Sequence, residues 1–84
     1  MNPRVLKVEY IGDYQLLLTF ANNEVKRFSL LDYLHYPVYE PLKDETFCKT
    51  VKALGGTIQW NDDIDFDPDT LYLESKSVHS LEER

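Results

Sequence analysis

The chain has 84 residues, a length that supports a single hydrophobic core, so we expect one domain. Fifteen acidic against nine basic side chains give a net charge of −6, which disfavours nonspecific binding to nucleic-acid phosphates. The single cysteine excludes an intrachain disulfide, and no apolar run approaches the roughly 20 residues of a membrane span, so we expect a cytoplasmic protein with no membrane contact.

The first third of the chain predicts three antiparallel strands. Residues 5–10 alternate apolar with charged side chains, as a half-buried strand does, and residues 14–20 are rich in Tyr, Leu, Thr and Phe. Asn22 and Asn23 suit the positive φ of a tight hairpin, and residues 24–28 form the return strand. The pattern predicts a meander.

The middle of the chain predicts two short helices separated by a connector. Ser29 is a suitable N-cap for a helix over residues 30–34. Pro37 and Pro41 then bracket a segment that we expect to be irregular or extended.

The second of these helices is predicted over residues 45–52, capped by Asp44. Phe47, Cys48 and Val51 are spaced to share one apolar face. The glycine pair at 55–56 is expected to end this helix.

The last third repeats the plan of the first. Residues 57–60 and 64–66 predict a hairpin, and Asp67 followed by Pro68 is typical of a helix start, leading into residues 70–73. Both halves thus have the same order of elements: a strand, a turn that contains Asn, a strand and a short helix. Either duplication or chance explains this likeness. We therefore predict an α+β fold, a small antiparallel sheet of two β-hairpin units (about five strands) with two to three short helices. The domain covers residues 1–75 and a flexible C-terminal tail covers 76–84.

The order of several segments resembles the bacterial domain-of-unknown-function family 2442. The segments are an N-terminal Val-x-x-Val strand and residues 14–20, 37–42, 56–60 and 65–72. The likeness covers about residues 3–73 and implies a small cytoplasmic α+β protein with no assigned chemistry. Some members carry a C-terminal helix-turn-helix, and many resemble accessory partners in toxin–antitoxin-like gene pairs. This chain stops at Arg84, so we expect no helix-turn-helix, and it has Asp62 and Asp63 where the family often has Gly after the Trp.

An acidic cluster is the most conspicuous candidate site. Its members are Asp62, Asp63, Asp65, Asp67 and Asp69. Three of them and Glu74 match positions of a calcium-binding loop, but the sixth position is Pro68 where that loop needs Gly. Their period of two also fits a strand with one wet face, so we favour solvated strand and cap residues over a metal site.

Catalysis is not predicted. Cys48 with His35 or His79 could form a thiol–imidazole pair, but Cys48 is expected on a buried helix face and His79 in the tail. The sequence contains no phosphate-binding Gly-rich loop and no paired Cys motif, so we expect a non-enzymatic protein without a cofactor.

An aromatic segment is the preferred candidate for binding. Tyr33, Tyr36 and Tyr39 recur every three residues around Pro37 and precede Glu40, and tyrosine is enriched where proteins contact one another. We predict a protein partner here, either a toxin-like protein or a second copy of the chain. The open alternatives are that these tyrosines only cover the core, or that the protein is a nucleic-acid-associated transcriptional regulator. The basic side chains that would contact nucleic acid are Lys43, Lys49 and Lys52. The last two are predicted on neighbouring turns of the second helix.

Overall fold

The computed structural model of the protein describes residues 2–61 and 64–78. This part of the chain contains two antiparallel sheets, of four strands in the order β1-β2-β3-β7 and of three in the order β4-β5-β6. The strands are β1 (Val5–Gly12), β2 (Gln15–Phe20), β3 (Val25–Ser29), β4 (Lys52–Leu54), β5 (Thr57–Asn61), β6 (Ile64–Asp65) and β7 (Lys76–Ser77). The helices are two 3₁₀ helices, Leu31–Tyr33 and Pro37–Lys43, and two α-helices, α1 (Glu45–Cys48) and α2 (Pro68–Glu74). The α+β class predicted from the sequence is confirmed.

The predicted meander of β1, β2 and β3 is confirmed. Alternation along β2 places Leu16, Leu18 and Phe20 on the buried side of the sheet. The turn into β3 closes through hydrogen bonds that include Asn23 N–H to the Phe20 carbonyl at 2.9 Å, and Asn23 adopts φ 73°. An asparagine tolerates this left-handed conformation better than other non-glycine residues do.

The predicted helix over residues 45–52 is wrong beyond Cys48, where α1 ends. Asp44 caps it as expected, since its side chain accepts from Thr46 N–H at 3.1 Å. The Thr50 hydroxyl then donates to the Phe47 carbonyl at 2.7 Å, and the chain turns into β4, which pairs with β5. The sheet ladder thus replaces the helical bonds, and the expected helix termination at glycines 55–56 becomes the β4–β5 turn.

The connector between the prolines is also more regular than predicted. Residues 37–43 form a 3₁₀ helix, whereas the sequence indicated irregular or extended chain. Pro37 occupies its first turn, where the missing N–H costs nothing, and Tyr36 before it is extended, as the residue preceding a proline prefers. The predicted helix at 30–34 is the 3₁₀ helix Leu31–Tyr33, and the Ser29 hydroxyl accepts from Leu31 N–H at 3.2 Å.

The C-terminal half follows the prediction up to residue 75. Asp67 caps α2, accepting from Thr70 N–H at 3.1 Å, and Pro68 is the first helical residue. Residues 76–77, part of the predicted tail, form β7, in which Lys76 pairs with Arg27 of β3. Residues 79–84 of the predicted tail lie outside the described residues.

The core joins the two halves of the chain. Its fully buried large side chains come from both sheets and from the connectors: Phe20, Phe28, Leu16, Leu18, Leu30, Leu42, Ile58 and Leu71. Phe28 and Phe66, the corresponding positions of the two strand–turn–strand–helix segments, meet edge to face with ring centres 5.4 Å apart. The repeated plan therefore places its equivalent aromatic residues against each other.

Candidate partner-binding surface

Three tyrosines predicted to form a surface are brought together by 3₁₀-type hydrogen bonding. The N–H of Tyr36 donates to the Tyr33 carbonyl at 3.1 Å, and the N–H of Tyr39 donates to the Tyr36 carbonyl at 2.9 Å. Tyr36 is extended between the two 3₁₀ helices, so these bonds close two successive turns, which bring the three rings to one side. Their centres are 6.2 to 6.5 Å apart.

Phe66 anchors this cluster to the core. Its ring is almost fully buried and stacks on Tyr39, with centres 4.7 Å apart and planes 7° from parallel. Tyr33 meets Phe66 edge to face at 5.3 Å. Tyr36, by contrast, remains 49% exposed, so the cluster has a fixed floor and an open outer ring.

The tyrosines line an open apolar groove of about 590 Å³, which we call the aromatic groove. It is lined by Tyr33, Tyr36, Pro37, Val38, Tyr39, Phe66, Asp67 and Thr70. Four of the five residues singled out from the sequence lie in it, whereas Glu40 is exposed outside the lining. Sequence reasoning missed Val38 and the contribution of the distant segment 66–70, although the repeated plan already paired Phe66 with Phe28.

The six tyrosines of the protein fall into two groups by their hydroxyls. Those of Tyr10, Tyr14 and Tyr72 donate within the fold, to Glu45 at 2.7 Å, to the Lys43 carbonyl and to Glu24, respectively. Over residues 2–61 and 64–78, the hydroxyls of Tyr33, Tyr36 and Tyr39 make no such bond. The hydroxyls of the first group thus stabilise the fold, whereas the residues of the second group line the aromatic groove.

Acidic side chains lie near two of the tyrosines. Burial, and next the charge of Asp65, raises the pKa of Tyr39 above its ordinary value. Burial, and next the charges of Glu74 and Asp32, raises the pKa of Tyr33 in the same way. These effects place negative charge close to both rings.

The other candidates from the sequence do not form sites in the described part of the chain. Cys48 is fully buried, and burial raises the pKa of its thiol to about 11, so a thiolate is disfavoured at neutral pH. His35 is exposed and packs on Tyr36 with ring centres 4.2 Å apart. His79 lies outside the described residues.

The acidic cluster is only partly described. Asp65 and Asp69 are exposed and Asp67 is the cap of α2, while Asp62 and Asp63 lie outside the described residues. No group of three or more His, Cys, Asp or Glu side chains suited to a metal ion occurs among the residues described.

The three candidate lysines do not share a helix face. Lys49 follows the end of α1 and Lys52 begins β4, so the prediction that they lie on neighbouring helical turns is wrong. Both, with Lys43, are exposed.

The structure thus defines a small α+β domain with an apolar groove lined by aromatic side chains. The family model described as "Protein of unknown function (DUF2442)" matches residues 5–77, and the chain belongs to this family. The resemblance noted in the sequence is thereby confirmed.

One solved structure is similar along most of the chain. The crystal structure of "Putative DNA Binding Protein NE0471" from Nitrosomonas europaea is 26% identical, with a TM-score of 0.78, over 89% of this chain. The chain spans 50% of the length of that protein. No curated protein matches. None of the helices in the described segments has the length and apolar character needed to cross a membrane.

Proposed function

We propose that the protein is a non-enzymatic interaction module that binds another protein in the aromatic groove, as an antitoxin-like or regulatory accessory protein in the cytoplasm. The observation that carries this proposal is the convergence of three tyrosine rings on one apolar groove. An amphipathic ring of this kind supplies contact area at low cost in side-chain entropy, which is why tyrosine is common at binding hot spots.

The groove combines rigidity with exposure. Stacking on Phe66 holds Tyr39 in place before a partner arrives, so little ordering is needed on binding. Tyr36 and Val38 are 49% and 54% exposed, and they therefore present apolar area that a partner would remove from water.

Two exposed groove residues provide the test. The partner is isolated from the native host with the wild-type protein, identified and purified, and its Kd is measured by calorimetry for Tyr36→Ala and Val38→Ser. We expect each substitution to weaken binding at least about tenfold, equivalent to about 1.4 kcal/mol.

Leu54→Ala is the matched control. Leu54 is 55% exposed on β4, which lies at the opposite edge of the three-stranded sheet from β6 and the groove. This variant should bind as the wild type does. Unchanged affinity in both groove variants, or equal loss in the control, would contradict the proposal.

A second candidate function is association with nucleic acid. It is favoured by the name of the similar protein, which describes it as DNA binding. The basic side chains that could contact nucleic acid are the exposed Lys43, Lys49 and Lys52. The net charge of −6 opposes binding to phosphates. A gel-shift assay with random-sequence duplex DNA across a salt series separates the two candidates. A complex that persists at micromolar protein near physiological salt would favour the nucleic-acid function, and we expect none.

A further inference from the structure

We infer that the aromatic groove selects a cationic segment of its partner, in which an arginine or lysine lies against the tyrosine rings beside an apolar residue. This inference rests on the proposed function and names the chemistry of the partner. Its basis is the combination of an apolar aromatic lining with two carboxylates, Asp67 in the lining and Asp65 near Tyr39.

The charged groups nearest the groove are two carboxylates. Asp67 lines it and Asp65 acts on Tyr39, whereas Asp32 and Glu74, which act on Tyr33, line a neighbouring pocket together with Arg27 and Lys76. No lysine or arginine lines the groove among the residues that the structure describes. A cationic partner segment would find complementary potential here, whereas an acidic peptide or a phosphate would be repelled.

The aromatic faces suit the same partner. The electron-rich face of tyrosine attracts ammonium and guanidinium groups, and the attraction grows when water is excluded. The protein already contains one such contact, because Lys26 Nζ lies 3.9 Å from the centre of the Tyr72 ring. Tyr36 is the exposed ring of the groove and is therefore the one that an incoming cation would reach first.

The size of the groove fits several side chains. A volume of about 590 Å³ is comparable to that of sites that enclose small ligands. An extended segment with a cationic residue beside Asp67 and an apolar residue over Val38 would occupy it. Arginine is the better candidate than lysine because its planar guanidinium stacks on rings and is less strongly hydrated.

The experiment begins with an unbiased selection of peptides. A phage-displayed library of random twelve-residue peptides is selected on the full-length protein, and the enriched peptides are synthesised with a fluorescent label. Each is also made with citrulline in place of arginine, which removes the charge and retains the shape. Fluorescence anisotropy then gives the Kd of every pair.

We expect the enriched peptides to contain arginine beside an apolar residue, and citrulline to weaken binding at least about tenfold. Tyr36→Ala should weaken binding of the arginine peptides by a similar factor. Asp65→Asn should weaken it about threefold, whereas Glu9→Gln, the same change of charge on exposed β1, should leave it unchanged. Raising the salt concentration should reduce the affinity for the arginine peptides more than for the citrulline peptides.

Two results overturn the inference and differ in what they say of the proposed function. If the enriched peptides are neutral or acidic, or citrulline changes Kd less than twofold, while Tyr36→Ala still abolishes binding, the groove binds proteins but does not select cations. If the enriched peptides bind Tyr36→Ala and the wild type equally, the aromatic groove is not their site, and both the inference and the proposed function fail.

Discussion

Lys26 reaches from β3 to α2 and contacts Tyr72 in two ways. Its Nζ lies 3.9 Å from the centre of the Tyr72 ring and donates to the Tyr72 carbonyl at 2.7 Å. The Tyr72 hydroxyl in turn donates to Glu24, the residue before β3. These contacts attach the final helix to the first sheet.

The substitution Lys26→Met tests this attachment. It keeps the aliphatic stem and removes the ammonium, so we expect the free energy of unfolding to fall by about 1–2 kcal/mol. Urea denaturation monitored by circular dichroism measures the change. Arg27→Met is the control, because Arg27 is exposed and should change stability by less than about 0.5 kcal/mol. Equal effects of the two substitutions would contradict the assigned role of Lys26.

Tyr36 and Tyr39 should differ in their contribution to stability. Tyr39 stacks on buried Phe66, so Tyr39→Ala is expected to lower the free energy of unfolding by about 2–3 kcal/mol. Tyr36 is 49% exposed, and Tyr36→Ala should cost less than about 1 kcal/mol. Denaturant unfolding of both variants checks this order, and the reverse order would show that Tyr36 is needed for the fold.

The two glycines of the β4–β5 turn should differ when each is replaced by alanine. Both have positive φ, +65° at Gly55 and +88° at Gly56, so each replacement costs about 1 kcal/mol in backbone strain. A Cβ on Gly56 would also lie 2.6 Å from Nη1 of Arg4, whose side chain donates to the Gly55 carbonyl. We therefore expect Gly56→Ala to lower the free energy of unfolding by about 2 kcal/mol and Gly55→Ala by about half as much. Thermal unfolding of the pair measures the difference, which should vanish in an Arg4→Ala background.

Cys48 should be unreactive in the native protein. It is fully buried, and burial raises the pKa of its thiol to about 11, so both access and ionisation oppose attack. At pH 8 we expect reaction with a thiol-specific reagent such as DTNB to be at least about a hundredfold slower than in urea-unfolded protein. Reaction at comparable rates in both states would show that this thiol is accessible.

Stability should fall at alkaline pH, with Tyr10 as one source. Burial, followed by its hydrogen bond to Glu45, raises the pKa of Tyr10 from 10.0 to about 12. The folded state therefore keeps a proton that the unfolded state loses near pH 10, so the contribution is present below pH 10 and is lost as pH rises toward about 12. The pKa values of Tyr33, Tyr39, Tyr72 and Cys48 are raised as well, and they act in the same direction.

The measurement is the free energy of unfolding at several pH values between 9 and 12. The free energy of unfolding of Tyr10→Phe should decrease less than that of the wild type over this range. The decrease that remains comes from the other groups with raised pKa values. An identical slope in both proteins would contradict the assignment to Tyr10.

Local sequence signals predicted the elements that depend on nearby residues. Alternation along residues 14–20, the pair Asn22–Asn23 and the cap at Asp67 each act within a few positions, and the structure contains all three features. The recurrence of Tyr33, Tyr36 and Tyr39 around Pro37 likewise predicted an aromatic surface, and the centres of their rings lie 6.2 to 6.5 Å apart.

Tertiary structure decided the elements whose partners are distant. β4 and β7 are three and two residues long, and each exists because β5 or β3 supplies the backbone hydrogen bonds for its edge. The floor of the aromatic groove is similar, since Phe66 meets the tyrosines only after the two halves of the chain pack together. Local propensity describes single segments, whereas these features need the free energy of contacts between segments far apart in the sequence.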